Sequence, residues 1–395
     1  MIYEMGRSFE HGERMRKRLL VSWGTLLFVG LTVLGCDFFT NQSTTAGSTG
    51  FVYVVNSAQG AGGVGSISGY QANASTGVLS TLVNSPFGTG NLPTPTSMSA
   101  DVLGRFVYVS TSAGVVGFVI SQNTDTLGQL ACFVNPCVPT ATKAVPVAIA
   151  VDPSARAVYV VEAGPQVEGF TITAVTGALT SQGPPTPLSP PAANGVTPTS
   201  ATVAASGGFL FVGMADGSIV SVPINANSTL NAAAISKAAP LAGITNVAAL
   251  VADPTVSFVY AVDGTQFVSL YTINRSTGAL TAVNSLSVQS SAPVGVAVAS
   301  VNGTPTYVYT ANQGSSNVSA FLIGGGGTLE ALANFPFSVS ATTPVALAVD
   351  PSQAFLYIVG KESNSVVSFV IVNGQLESPS TASTGTAPTA VVAVP

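Results

Sequence analysis

The chain has 395 residues, of which 47% are hydrophobic and only 7% are charged, and its formal net charge is −5. Proteins that bind nucleic acids neutralise phosphates with basic surfaces, so this composition argues against that class. Proline or glycine interrupts every long apolar run after residue 36, which argues against a bundle of transmembrane helices.

The first 35 residues differ from everything that follows. Four basic residues between positions 14 and 18 precede the apolar run LLVSWGTLLFVGLTVLG, which ends at Cys36. This order is typical of a secretory signal, and VLGC resembles the bacterial lipobox, whose cysteine is acylated. We predict a lipoprotein signal peptide over 1–35 with lipidation at Cys36; an uncleaved anchor and simple secretion are the alternatives. All three place the repeats outside the cytoplasm, and the lipoprotein prediction places them at the bacterial cell envelope, either periplasmic or on the surface.

Residues 36–50 are rich in serine, threonine and glycine. Such a composition favours a flexible tether between a lipid anchor and a folded body.

Residues 51–395 repeat one unit seven times. An aromatic residue within a β-branched run recurs every 48 to 55 residues, at Tyr53, Tyr108, Tyr159, Phe211, Tyr260, Tyr309 and Tyr357. Each unit has period-two patterns separated by Pro, Gly, Asn or Asp, which is typical of antiparallel hairpins. The sequence therefore predicts an all-β, seven-bladed β-propeller of four-stranded antiparallel sheets.

The ends of the repeat region complete each other. Proline followed by alternating small and branched residues marks a further strand, seen in the stretch that begins at Pro146. The first aromatic unit, 51–56, has no such strand before it, and the last such strand, 388–394, has no aromatic unit after it. We expect the two segments to pair and close the ring, which leaves no open edge and favours a monomer. The small residues of these strands predict that they lie innermost.

Two cysteines follow Cys36. Cys132 and Cys137 flank an Asn-Pro dipeptide, and outside the cytoplasm this spacing favours a local disulfide. The only histidine, His11, lies in the leader, and no second cysteine pair is present. No metal site and no cofactor are therefore predicted.

Candidate functional residues come from the loops that gather at one end of a propeller. They are the residues after the second strand of each blade and one from a connection between blades: Asn56, Ser112, Glu162, Asp216, Asp263, Asn312, Lys361 and Lys143. A ring of Glu162, Asp216 and Asp263 is a candidate for holding a cation or a polyol. The alternative is that these residues only form turns, since Asp-Gly is an ordinary turn dipeptide. At the opposite end, Asp152, Asp253 and Asp350 are expected to accept hydrogen bonds from turn backbone.

The segments VPVAIAVDPSARAVYVVEAGPQVEGFTI and TPVALAVDPSQAFLYIVGKESNSVVSFVI, with the STGALT turn at 276–281, resemble the seven-bladed lactonase-type propellers. This 6-phosphogluconolactonase-like group also includes YVTN-type surface repeats. The resemblance covers 51–395 and implies hydrolysis of a sugar lactone by charged residues at the channel mouth.

Two functions are consistent with this resemblance. Since the chain has neither histidine nor a predicted arginine at that end, we favour an exported, lipid-anchored module that binds an envelope protein or a glycan. The alternative is a lactonase-like hydrolase acting on an extracytoplasmic sugar lactone, with Glu162 as base and Lys361 or Lys143 as electrostatic partner.

Overall fold

The computed structural model describes residues 50–57, 64–126, 128–133, 137–188 and 196–395. The predicted signal peptide, the lipidation site at Cys36 and nearly all of the tether lie outside these residues.

The described chain forms seven antiparallel sheets, each with four strands from an inner to an outer position. In six of the sheets this order follows the chain, and in the seventh the C-terminal strand is innermost. We number the blades from the one that contains Phe51–Asn56. The inner strands of blades 1 to 7 are Pro388–Val394, Pro95–Ala100, Pro146–Val151, Pro198–Val203, Ala249–Ala252, Pro293–Val301 and Pro344–Val349. The second strands are Phe51–Asn56, Phe106–Thr111, Ala157–Glu162, Phe209–Met214, Phe258–Val262, Thr304–Asn312 and Phe355–Gly360. The third strands are Val64–Ala72, Gly114–Ile120, Gln166–Ile172, Ile219–Pro223, Phe267–Ile273, Asn317–Ile323 and Ser365–Val372. The outer strands are Leu79–Thr81, Leu130–Cys132, Leu179–Ser181, Ser236–Ala238, Leu280–Ser287, Leu329–Ala331 and Gln375–Ser383.

Short additional elements lie in the connections. Phe87–Pro93, Thr186–Pro187 and Phe337–Ser338 each pair with the third strand of their blade. The 3-10 helices are Thr124–Thr126, Ala232–Ala234, Gln313–Ser315 and Gly325–Gly327. Within the ranges given above, no helix is long and apolar enough to cross a membrane.

The two chain ends close the ring. Phe51 pairs with Val394, and the antiparallel register continues through Val54 opposite Val391. Each inner strand contacts the inner strands of both neighbouring blades, including those of blades 7, 1 and 2. The seven-bladed, all-β fold and its closure by the terminal strands are therefore confirmed, as is the innermost position of the proline-marked strands.

Neighbouring blades are joined by the repeated tyrosine. The Tyr108 hydroxyl donates to the Gly177 carbonyl of the next blade at 2.9 Å, and Tyr309 donates to the Gly374 carbonyl at 2.9 Å. Tyr53, Tyr159 and Tyr260 make the same contact with Gly128, Ser228 and Gly327. These hydroxyls belong to fully buried rings, so each hydrogen bond forms away from competing water.

The acceptor glycines are required by geometry. Gly177 has φ of +74°, and an added Cβ would lie 2.4 Å from Cζ of Phe133 and 2.6 Å from Cδ1 of Phe106. The left-handed conformation and the close approach of an aromatic ring both favour glycine. The Thr-Gly turns at Gly77, Gly177 and Gly278 thus pack against aromatic side chains of the preceding blade.

We call the end of the ring that carries the connections between blades the loop end, and the opposite end the turn end. At the turn end, Asp253 Oδ1 accepts from the backbone of Ser257 and Phe258 at 2.7 Å. Asp350 accepts from Phe355 N at 2.8 Å, and Asp152 accepts from Ser154 N at 3.0 Å. The predicted role of these aspartates in the turns is confirmed.

Candidate functional site

The loop end of blade 3 holds two buried carboxylates side by side. Glu162 ends the second strand, and Glu168 lies in the third strand opposite Val160. Because side chains alternate along a strand, Val160, Glu162 and the cross-strand neighbour Glu168 share one face of the sheet. Glu162 and Glu168 are 0% and 1% exposed.

One backbone N–H binds both acids. Lys143 N donates to Glu162 Oε1 at 2.9 Å and to Glu168 Oε2 at 3.2 Å. The Gln166 side-chain amide donates to the other oxygen of Glu162, and the Ser181 hydroxyl donates to Glu168 Oε1 at 3.2 Å. The two carboxyl groups are therefore close enough to act as one unit.

Electrostatics in this cluster favour a bound proton. Burial raises the pKa of Glu168, and the negative charge of Glu162 raises it further. Hydrogen bonds from Lys143 N and Ser181 lower this pKa, as does the positive charge of Lys143. The net shift is nevertheless upward. The raised pKa means that Glu168 holds a proton more readily than an ordinary glutamate does. Two adjacent carboxyl groups of this kind suit general acid–base chemistry.

The connection between blades 2 and 3 covers the pair. Cys132 and Cys137 form a disulfide with Cα atoms 5.3 Å apart. Beyond it, Thr140 exchanges backbone hydrogen bonds of 2.7 and 2.9 Å with Val115, and the chain then reaches Lys143. The Lys143 side chain is exposed at the surface of this connection.

Blades 1 and 6 carry neutral groups at the same place. Asn56 is bonded to Ser68 at 3.0 Å, and Asn312 is bonded to Ser319 at 2.9 Å. All four residues are buried. The polar link between second and third strands is thus a feature of the repeat, and blade 3 replaces an amide–hydroxyl pair by two acids.

The remaining predicted residues are distributed around the ring. Asp263 is 2% exposed and accepts backbone hydrogen bonds from Thr265, Gln266 and Phe267 at 2.8 to 3.0 Å. Asp216 forms an ion pair of 2.8 Å with Lys237. Asn56, Asn312 and Asp263 therefore lie inside the protein rather than on an exposed rim.

Ser112 and Lys361 are exposed. Lys361 belongs to blade 7, and blades 1 and 2 lie between it and Glu162. Among the described residues, Glu162 contacts Lys143 but not Lys361. Asp216 and Asp263 each form their bonds within their own blades.

Sequence reasoning missed Glu168. The signal was present, since a glutamate interrupts the apolar pattern of the strand QVEGFTI in the hairpin that Glu162 begins. Finding it required the strand register, because Glu168 lies opposite Val160 and is therefore a diagonal neighbour of Glu162 across the hairpin.

The chain resembles known proteins in both sequence and fold. The family model "Lactonase, 7-bladed beta-propeller" matches residues 112–388, well over half of the chain. This chain belongs to the lactonase seven-bladed β-propeller family. The match includes Lys143, Glu162, Glu168 and Lys361. The resemblance expected from the blade motifs is therefore confirmed.

Solved structures of other proteins have the same fold. A putative 6-phosphogluconolactonase from Bacteroides uniformis has 17% identity and a TM-score of 0.69, with 88% of this chain and 99% of that chain covered. The Pseudomonas aeruginosa periplasmic gluconolactonase has 16% identity and a TM-score of 0.68, with 88% and 99% covered. A protein from Lactobacillus plantarum has 17% identity and a TM-score of 0.67, with 88% and 100% covered. No curated protein sequence matches the chain.

Proposed function

We propose that this protein is a lactone hydrolase whose acid–base groups are Glu162 and Glu168, with the Lys143 ammonium as their electrostatic partner. The observation that carries the proposal is the buried carboxylate pair at the loop end of a lactonase-family propeller. The sequence alone favoured a binding module for an envelope protein or a glycan. Family membership supports the hydrolase better, because the family model and two of the similar structures bear lactonase names.

The proposed reaction adds one water to a cyclic ester. Ionised Glu162 takes a proton from the water as its oxygen attacks the carbonyl carbon, and the ring C–O bond then breaks. Protonated Glu168 gives its proton to the departing alkoxide, so the product is a hydroxy acid. Transfer of the proton from Glu162 to Glu168 restores the starting state, and the raised pKa of Glu168 favours that direction.

The positive charge of Lys143 offsets the negative charge that develops on the carbonyl oxygen. Electrostatic stabilisation of this kind is often the largest contribution to catalysis. Since both carboxyl groups are covered by the connection that carries Lys143, substrate entry requires residues 138–145 to shift from Glu162 and Glu168. Movements of loops over active sites are a common step in enzyme turnover.

The experiment is a lactone-opening assay on the purified full chain. Glucono-δ-lactone, other unphosphorylated sugar lactones and a phosphorylated one are compared with their spontaneous rates of hydrolysis. We expect turnover of at least one lactone and a loss of about 100-fold or more in Glu162→Gln. Glu377→Gln changes an exposed acid on the outer strand of blade 7 and serves as the matched control. If every lactone opens at its spontaneous rate, or if Glu162→Gln is as active as wild type, the proposal is wrong.

We further propose that the propeller acts outside the cytoplasm, held at the membrane by a lipid on Cys36. The support is the sequence of the leader, in which the apolar run ends at the lipobox-like VLGC. Mass spectrometry of the N-terminal peptide is expected to show an acylated Cys36, and Cys36→Ser is expected to release the protein from membranes. An unmodified Cys36 in membrane fractions would contradict the anchor.

A further inference from the structure

Blade 6 departs from the repeat at the turn end. In blade 7 the repeated Tyr357 lies seven positions after Asp350, whereas in blade 6 Tyr309 lies ten positions after the corresponding Ala299. The three extra residues lengthen the first hairpin, so its inner and second strands each span nine residues. Asn302 and Gly303 form its tip with φ values of 50° and 75°, as a tight two-residue hairpin turn requires.

The longer hairpin forms one wall of a cavity between blades 6 and 7. The cavity has a volume of about 460 Å³, within the range of roughly 300–1,000 Å³ that is typical of small-molecule sites. Its lining residues are Ala299, Ser300, Val301, Thr306, Tyr307, Gln353, Ile371 and Asn373. None of them is charged.

Two polar groups of this lining are free to bind a ligand. The Tyr307 hydroxyl and the Asn373 amide line the cavity and form no hydrogen bond with any described residue. Ser300 Oγ is buried and has no partner among the described residues, and a serine without a partner can rotate about χ1 at no cost in hydrogen bonds. The lining thus combines hydroxyl and amide groups with the aliphatic side chain of Ile371.

Gln353 fixes the floor of the cavity. Its side-chain oxygen accepts from Ser300 N at 2.9 Å, which ties blade 7 to blade 6. Gln353 has φ of +65°, at a turn position that Gly104 and Gly207 occupy in blades 2 and 4. Ala155 and Val256 take the same left-handed conformation at this position in blades 3 and 5, so the feature that distinguishes blade 7 here is the side-chain contact of Gln353 with blade 6.

We propose that this cavity is a binding site for one neutral sugar ring of a glycan. A sugar ring carries hydroxyls around its edge and C–H groups on its faces. Uncharged donors and acceptors, the Tyr307 ring and the aliphatic side chains complement these two features. A charged ligand would find no opposite charge in this lining. The site lies at the turn end, whereas the carboxylate pair lies at the loop end, so the inference goes beyond the proposed lactone hydrolysis.

The test measures sugar binding by the full chain. D-glucose, D-galactose, D-mannose and N-acetyl-D-glucosamine are screened by saturation-transfer NMR, and the strongest is titrated by calorimetry. The test variant is the double substitution Tyr307→Phe with Asn373→Gly, which removes a hydroxyl and an amide. The aromatic ring remains, and glycine suits the φ of +51° at position 373. Asn302→Gly makes the same substitution at a similar φ on the hairpin tip, outside the lining.

We expect at least one sugar to bind, the double variant to weaken binding about tenfold or more, and Asn302→Gly to stay within about twofold. The lactone-opening rate of the double variant is expected to equal that of wild type, and Glu162→Gln is expected to keep its sugar affinity. The inference is wrong if no sugar of the panel binds, if the double variant binds as wild type does, or if Glu162→Gln removes the binding. Failure of the lactone assay alone would leave these binding results unchanged.

Discussion

Tyr309→Phe tests how the blades are held together. The substitution removes only the hydroxyl that donates to the Gly374 carbonyl at 2.9 Å, and the ring at this position is fully buried. Leaving a buried carbonyl without its partner costs about 1–3 kcal/mol. Unfolding entropy is about 2.1 cal/mol/K per residue, so for a body spanning 51–395 we expect Tm to fall by about 1.5–4 °C if the ring unfolds as one unit.

Tyr307→Phe is the matched control. Tyr307 lies two residues earlier in the same strand and is half-buried, and its hydroxyl bonds to no residue in the described part of the chain. Differential scanning calorimetry and chemical denaturation of both variants measure the difference. If the two variants lower Tm equally, or if neither does, the hydroxyl bridge between blades 6 and 7 does not stabilise the ring.

Three further predictions concern stability. Because the native pKa of Glu168 is raised, its contribution to stability is complete below the unfolded pKa of about 4.3 and is lost as pH rises through the native pKa. The Tm of Glu168→Gln relative to wild type should therefore rise between pH 4 and pH 7. A difference in Tm that does not change with pH in thermal melts would contradict the raised pKa of Glu168. Burial raises the pKa of the repeated tyrosines, and it raises that of Tyr70 to about 12. Their stabilising contribution is complete below pH of about 10 and is lost at higher pH. The part of the phenolate absorbance that Tyr309→Phe removes should therefore appear only together with loss of the β-sheet circular dichroism signal, and phenolate from Tyr309 in a folded ring would refute this. Gly177→Ala should lower the free energy of unfolding, measured in denaturant, by about 1–3 kcal/mol, because a Cβ would meet Phe133 and Phe106. Gly183→Ala, where no atom lies within 4 Å of the added Cβ, should lower it less. Equal losses would show that the aromatic rings do not require glycine at position 177.

The repeat made the architecture predictable. Strand patterning of period two, a fixed spacing between aromatic residues and complementary ends together specify the number of blades and the closure, because each of these signals is local or periodic. The pairing of the segments 51–56 and 388–394 was predicted although most of the chain lies between them. A periodic sequence carries long-range information that single strands do not.

The site was less predictable, because burial and register decide which polar residues meet. Asn56, Asn312 and Asp263 occupy the expected positions in sequence, but their side chains turn inward and complete bonds within their own blades. Glu168 was overlooked because its partner is a diagonal neighbour across a hairpin.

The cavity at the turn end was also overlooked, since it arises where blade 6 breaks the repeat. The insertion before Tyr309 changes the spacing by three residues only. Its effect depends on the adjacent turn of blade 7, and that contact is visible only in three dimensions.

The central claim is that the carboxylate pair of blade 3 opens a lactone. The most direct measurement is the initial rate of glucono-δ-lactone hydrolysis by the full chain across pH 5 to 8, with Glu162→Gln and Glu377→Gln measured in parallel. We predict a rate above the spontaneous one that Glu162→Gln abolishes and Glu377→Gln preserves. A rate that is catalysed equally by all three proteins would show that the pair does not carry the reaction.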